Sequence, residues 1–209
     1  MIKLRFLAAA LFAAATSLHA QVGTGAGLLD PNLATEAQLA ALPGLNAELA
    51  KSIIAKRPFL SILQLDSVVA PTLDAAKRTA LYEKLFVHIN LNASKREEIL
   101  LVPRSTNRHV REFQEYAPYA ALAVFHREMR KYWDEAEVSR LEAYVFVPVD
   151  LNTATDAEIN SIPGMTPRML REFKEYRPYD SVERYKREMA KYVDAKEVAR
   201  LSRYVDLKK

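Results

Sequence analysis

The chain has 209 residues, half of them hydrophobic, with 30 basic and 26 acidic side chains, four histidines and no cysteine. A formal charge of only +4 excludes bulk attraction to a polyanion, so any phosphate site must come from local placement of charge. The lack of cysteine excludes disulfides and thiolate metal centres and leaves core packing to hold the fold.

Residues 1–20 are expected to form a signal peptide. Lys3 and Arg5 precede an apolar run from Phe6 to Ala15, and small residues lead to Ala20, the order of regions in an export signal. The run falls short of the roughly 20 apolar residues that span a bilayer; an uncleaved membrane anchor is the alternative. No later segment is apolar enough to span. Cleavage near Gln21 places the remainder in the periplasm or outside the cell. Loss of Lys3 and Arg5 reduces the charge from +4 to +2. Residues 21–29 (QVGTGAGLL) are glycine-rich and read as a flexible linker.

From residue 30 onward the chain repeats itself. Asn32, Asn92 and Asn152 stand sixty residues apart, as do Pro43, Pro103 and Pro163, and Pro58, Pro118 and Pro178. A fixed period means one supersecondary unit built three times, here over 30–87, 88–147 and 148–209. Within each unit a first short helix opens on a capping box, Thr35 with Gln38, Ser94 with Glu97 and Thr155 with Glu158. Its buried face is set by Leu39 and Leu42, Ile99 and Val102, or Ile159 and Ile162. The proline at 43, 103 or 163 ends that helix. A second helix is expected over 47–56, 107–116 and 167–176, with Pro167 in a first turn that needs no amide. A third helix follows over 121–131 and 181–191 and is less distinct in the first unit. A fourth opens on Asp134 with Glu137 and on Asp194 with Glu197. Strand signals are nearly absent, so the expected fold is all-α, with three tandem units of about sixty residues.

Phe113, Phe173, Tyr116, Tyr176, Met129 and Met189 lie at helical spacings suited to a core. The tyrosines and Trp133 are alternatively potential stacking platforms for bases. Enzyme signals are poor. His88, His109 and His126 are not at metal-ligand spacings, Glu97 and Glu98 face apart, and no nucleotide-binding glycine loop is present. The expectation is a non-enzymatic protein with no cofactor and no metal.

Residues 29–59 (LDPNLATEAQLAALPGLNAELAKSIIAKRPF) and 149–179 (VDLNTATDAEINSIPGMTPRMLREFKEYRPY) resemble the helix-hairpin-helix unit of the competence protein ComEA family. The shared features are N-x-A-x-x-x-E/Q-L/I, a Pro-Gly hairpin, and a helix ending in R-P-F/Y. The resemblance covers about thirty residues in each of three copies. It implies tandem helix-hairpin-helix repeats and a sequence-independent grip on double-stranded DNA, with a role in competence. In such a unit the hairpin turns backbone amides toward a phosphate at a helix N-terminus, and glycines admit the close approach. The positions that carry this over are Gly44, Leu45, Asn46 and Lys51, and Gly164, Met165, Thr166, Arg168 and Arg171.

The family pattern is Pro-Gly-x-Gly. Asn46 and Thr166 replace the second glycine, and Asn46 is expected to tolerate a left-handed conformation there. The middle hairpin has Arg104 and Thr106 in place of both glycines, and a structural role is expected for it. Arg168, Arg171 and Lys174 are expected on one helix face. Arg171 and Arg111 could instead pair with Glu175 and Glu115 at i, i+4. The same fold also serves as a packing module, as the extrinsic subunit of photosystem II implies. The alternative function is therefore a structural or protein-interaction module of the cell envelope, with DNA-uptake or secretion proteins as partners.

Overall fold

The structure, a computed structural model, describes residues 20–207. Except for Ala20, the expected signal peptide lies outside the described residues. Twelve α-helices occur among them, in three sets of four. These are α1 (Glu36–Ala40), α2 (Ala47–Ala55), α3 (Ile62–Val69) and α4 (Ala75–Tyr82); α5 (Arg96–Leu100), α6 (Asn107–Glu115), α7 (Leu122–Met129) and α8 (Glu135–Glu142); and α9 (Asp156–Asn160), α10 (Pro167–Glu175), α11 (Val182–Met189) and α12 (Ala195–Ser202). The third helix of the first set, indistinct in the sequence, is formed over eight residues with Ile62, Leu65 and Val69 buried.

The chain is mostly, not purely, helical. Two-residue strands β1 (Ile89–Asn90) and β2 (Val145–Phe146) pair in parallel, as do β3 (Val149–Asp150) and β4 (Val205–Asp206). Leu29 makes an isolated parallel bridge with Leu85. In each case the residues entering a four-helix set lie beside those leaving it. Their amides and carbonyls are buried there and need partners, which a short ladder supplies. Two residues are too few to leave a period-2 signal in the sequence.

The recurring asparagines and Pro-aromatic pairs serve this closure. The Asn32 side-chain amide donates to the Phe59 carbonyl at 3.0 Å, and its oxygen accepts the Phe59 amide at 2.7 Å. Asn92 with Tyr119 and Asn152 with Tyr179 form the same clasp. The peptide before each proline of these motifs is cis. Arg57 and Arg177, from the R-P-F/Y signature, donate to carbonyls of residues 31 and 34 and of residues 151 and 154. A side chain that satisfies two buried backbone groups at once is costly to replace.

The caps follow the sequence with two departures. Thr35 with Gln38 and Thr155 with Glu158 form capping boxes. Helix α5 starts one residue later than Ser94 and Glu97 imply: the Lys95 amide donates to Glu98 at 3.0 Å, while Ser94 bonds back to the Leu91 carbonyl. Asp74, Asp134 and Asp194 cap the fourth helices. Glu137 and Glu197, however, turn from their caps to bind Arg140 and Arg200.

Helices α1–α8 enclose one continuous core that includes Leu39, Phe86, Phe113, Phe125 and Val145. A second core, around Phe173, Tyr185 and Leu201, fills α9–α12 and takes in Val22 and Phe146. Within residues 21–29, expected as a flexible linker, Gln21 to Gly23 are pinned between α5–α8 and α9–α12, while Thr24, Ala26 and Gly27 are exposed. Gln21 is 6 % exposed. Its side chain donates to Glu158 at 2.9 Å and accepts the Leu122 amide at 3.2 Å, while its own amide donates to Ser161 at 3.1 Å. Val22 bridges antiparallel to Phe146, and the Gly23 amide donates to the Val145 carbonyl at 3.0 Å. Gly23 and Gly25 are needed for close packing: a Cβ on Gly23 would lie 1.6 Å from the Glu142 carbonyl oxygen and one on Gly25 2.8 Å from Ala143 Cβ, whereas Gly27 has open space beside it. No helix among the described residues is long and apolar enough to cross a membrane.

Candidate nucleic-acid interface at the hairpin tips

Three helix pairs, α1–α2, α5–α6 and α9–α10, turn through the same backbone shape. Gly44 and Gly164 both have φ +77°, and Arg104 at the matching position has φ 65°. The middle hairpin, read as departing from the motif, therefore keeps its geometry without its glycine. Holding a non-glycine residue there costs about 1–2 kcal/mol. The glycines also have an internal reason to be glycine. A Cβ on Gly44 would come within 3.2 Å of Leu73, and one on Gly164 within 3.0 Å of Arg200 and 3.1 Å of Leu33.

The second motif position has a different role from the one expected. Asn46 is extended (φ −130°), not left-handed, as are Thr106 (φ −133°) and Thr166 (φ −105°). Each is the N-cap of the nine-residue helix that follows, a position that favours Asn and Thr. Asn46 Oδ1 accepts the Leu49 amide at 2.9 Å, and Thr166 Oγ1 accepts the Met169 amide at 3.2 Å. These caps satisfy one donor each. The amides of Gly44, Asn46, Gly164 and Thr166 make no hydrogen bond to protein among the described residues. In the middle hairpin the Thr106 amide is taken by His109 Nδ1 at 2.9 Å.

Gly44, Asn46, Lys51, Gly164, Thr166, Arg168 and Arg171 are exposed, and Leu45 and Met165 half-buried. The cations of the third helix pair have different neighbours, although Arg168 and Arg171 both act electrostatically on Glu172. Arg171 and Lys174 line a groove of about 480 Å³ with Asp156, Pro167, Leu170 and Glu175. Arg168 lies over the Tyr192 ring, 5.3 Å from its centroid. Arg171 pairs with Glu172 at 3.0 Å, not with Glu175, and Arg111 with Glu112 at 2.7 Å, not with Glu115. Lys174 binds Asp156 at 2.6 Å. Lys51 stands 3.9 Å from Glu36, both well exposed, so that pair holds it weakly.

Sequence reasoning missed the residues that brace the turns from behind. Arg200, 2 % exposed, donates to the Pro163 carbonyl at 2.6 Å and is gripped by Glu197 through two further bonds. Arg140 does the same for Pro103 with Glu137. The first hairpin has Ala80 in that place. The E-x-x-R spacing common to α8 and α12 was the available signal.

The residues weighed as core or stacking platforms divide: Tyr116, Tyr176 and Trp133 are half-buried, the others interior. Phe113, Phe173, Met129 and Met189 are fully buried, and Trp133 stacks on His109 with centroids 4.5 Å apart. Burial lowers the His109 pKa, against an opposing pull from Glu137. His126 lies between Glu142 at 3.0 Å and Glu135 at 3.3 Å. Among the described residues no group of three or more His, Cys, Asp or Glu could hold a metal ion.

The first and third tips can thus each present two unsatisfied amides at the positive end of a helix, with an exposed cation within one or two turns. That combination suits a phosphate oxygen and carries no base code. Comparison of the chain with protein-family models, with curated proteins and with solved structures gives no match.

Proposed function

We propose that the chain is an exported, non-catalytic protein of the ComEA type, built as three tandem helix-hairpin-helix repeats, that holds double-stranded DNA without sequence preference. DNA uptake is the process this reading implies, and the periplasm or cell exterior the place. The observation that carries it is the pair of exposed turns at 43–46 and 163–166, whose amides at residues 44, 46, 164 and 166 are left open by the protein itself. Arg168 and Arg171 add exposed positive charge to the third turn. The middle repeat contributes shape rather than phosphate contacts, because His109 occupies one of its amides.

Filter binding of the chain to duplex DNA at two salt concentrations tests this. Replacing Arg168 and Arg171 together by Ala is expected to flatten the log–log salt slope by about two units, close to one per lost phosphate contact. An unchanged slope removes both residues from the interface.

A second reading has its own support. The space beside Gly164 is filled by Leu33 and Arg200 of the same chain, and both helix starts carry side-chain caps. Those features serve equally a protein-interaction module of the envelope, with a secretion or uptake protein as partner. That reading expects no DNA retention at physiological salt and recovery of a defined protein partner on pull-down.

A further inference from the structure

The middle hairpin concentrates positive charge where the other two do not. Arg96 opens α5, Arg104 sits in the turn and Arg108 lies in the first turn of α6, all exposed. Sixty residues earlier the matching places hold Glu36, Gly44 and Glu48, and sixty later Asp156, Gly164 and Arg168. The three places therefore carry +3 in the middle hairpin, −2 in the first and 0 in the third.

The fold does not ask for these cations. Arg104 holds φ 65° where the other turns use glycine, a conformation that strains a side-chain-bearing residue. Nor does the chain consume them. Among the described residues Arg96 and Arg108 enter no ion pair, and Arg96 donates to Asn107 Oδ1 at 2.7 Å. Arg104 stands 3.8 Å from Glu137, which Arg140 already grips. The bond to Asn107 sets Arg96 against the start of α6, and Glu137 lies near both Arg104 and His109, so the three arginines gather at one tip.

Apolar surface lies among them. Leu100, one helical turn from Arg96 and on the same face, is 38 % exposed; Ala40 and Asn160 hold its matching places. Arg108 lies 5.4 Å from the centroids of both Tyr132 and Trp133. Stacking of this kind fixes the plane of a guanidinium and leaves its N–H donors free.

The choice of anion follows. His109 takes the Thr106 amide, which removes a backbone donor that a phosphate would use. A leucine and an indole among the arginines gain little from a sugar–phosphate backbone. A carboxylate matches the guanidinium fork with two parallel hydrogen bonds, and a peptide can bring apolar groups to the same place. Arg, Trp and Tyr are also the residues that dominate binding energy between proteins.

We propose that the α5–α6 tip is a docking surface for an acidic protein segment, with its carboxylates on Arg96, Arg104 and Arg108 and an apolar side chain over Leu100. The surface does not depend on phosphate contacts at the first and third tips.

Selection of random peptides displayed on phage against the whole chain tests this, followed by anisotropy titration of the enriched peptides. They are expected to be rich in Asp and Glu with Leu or an aromatic residue, and to bind with a dissociation constant below about 100 µM. Binding is expected to change the fluorescence of Trp133, the single tryptophan. Arg104→Gly combined with Arg108→Ala is expected to weaken the peptides at least about tenfold. Glycine is what the other two turns carry and Arg108 is exposed, so the double variant is expected to fold. Leu100→Ala, which copies Ala40, is expected to weaken them about threefold or more, an effect that charge alone does not produce. The salt slope for duplex DNA is expected to be the same in the wild type and the double variant. Failure to enrich any peptide, enrichment of peptides without acidic residues, or peptide binding untouched by the double variant overturns the proposal. So does a DNA salt slope that flattens by about two units in the double variant, which gives the patch to nucleic acid instead.

Discussion

The middle and third hairpins share a fold and differ in what that fold leaves free. Both place a left-handed residue after the proline, Arg104 and Gly164, and both are braced by an arginine on the fourth helix of their set, Arg140 and Arg200. The third leaves the Thr166 amide open, whereas the middle one hands the Thr106 amide to His109 and stacks Trp133 behind that ring. Turn shape is thus a requirement of packing, and open amides are a separate property that can be lost while the shape stays. A glycine at this position is evidence for the turn before it is evidence for a ligand.

Removing the brace tests how far the two hairpins differ in their dependence on it, and carries the largest expected effect. Arg200 is 2 % exposed at the side chain, Arg140 15 %. Arg200→Ala leaves Glu197 and the Pro163 carbonyl without their partner and is expected to cost about 3 kcal/mol, the scale for breaking a buried pair from one side. Arg140→Ala, whose surroundings admit water, is expected to cost about 1–2 kcal/mol. Urea unfolding of the two variants measures the difference; equal losses would mean that burial of the brace does not matter.

Exchanging the turn residues has the next largest effect, with opposite signs in the two hairpins. Gly164→Ala meets both a left-handed φ and atoms of Arg200 and Leu33 within 3.1 Å, and is expected to destabilise by about 1–3 kcal/mol. Arg104→Gly relieves the left-handed strain but loosens the unfolded chain, so a gain of about 0.5–1 kcal/mol is expected. Thermal unfolding of both variants checks the signs. A loss on Arg104→Gly would show that the Arg104 side chain, 3.8 Å from Glu137, stabilises more than its backbone costs.

What was legible in the chain was what is local. The helix order, the caps at Thr35, Thr155, Asp134 and Asp194, and the prolines that end helices depend on residues within four positions of each other, so spacing reveals them. The slip at α5 arose because Glu97 and Glu98 both stand at capping distance, from Ser94 and Lys95, and only the 3₁₀ turn over Leu91–Ala93 decides between them. Contacts across distance were not legible. Arg200 reaches Pro163 over 37 positions and Gln21 reaches Glu158 over 137. A glycine-rich stretch such as 21–29 reads as loose until its packing partners are known. At the candidate site the exposed residues were identified from the motif. The conformation at Asn46 was not, because the same side chain suits a left-handed turn and an extended N-cap.

The smallest effect separates the hairpins by pH. His109 occupies the place that Met169 holds in the third hairpin, and burial lowers its pKa; Glu137 opposes this, and Arg140 and Arg108 add to it. The unfolded chain takes up a proton on histidine as pH falls through about 6.5, and the folded chain does so only at lower pH. The unfolded state therefore binds more protons in that window, and stability falls as pH falls below about 6.5, by up to about 1.4 kcal/mol per pH unit for one such group. His88 shifts in the same direction for the same reason, so the whole chain loses stability in acid. His109→Met, which copies the third hairpin, is expected to remove one proton's share of that slope between pH 6.5 and 5.5 and leave the rest. Trp133, the single tryptophan, stacks on the ring that titrates, so its fluorescence reports the middle hairpin directly. A Trp133 transition in acid that His109→Met leaves in place would put the pH response outside this hairpin and leave the two turns alike in everything but their amides.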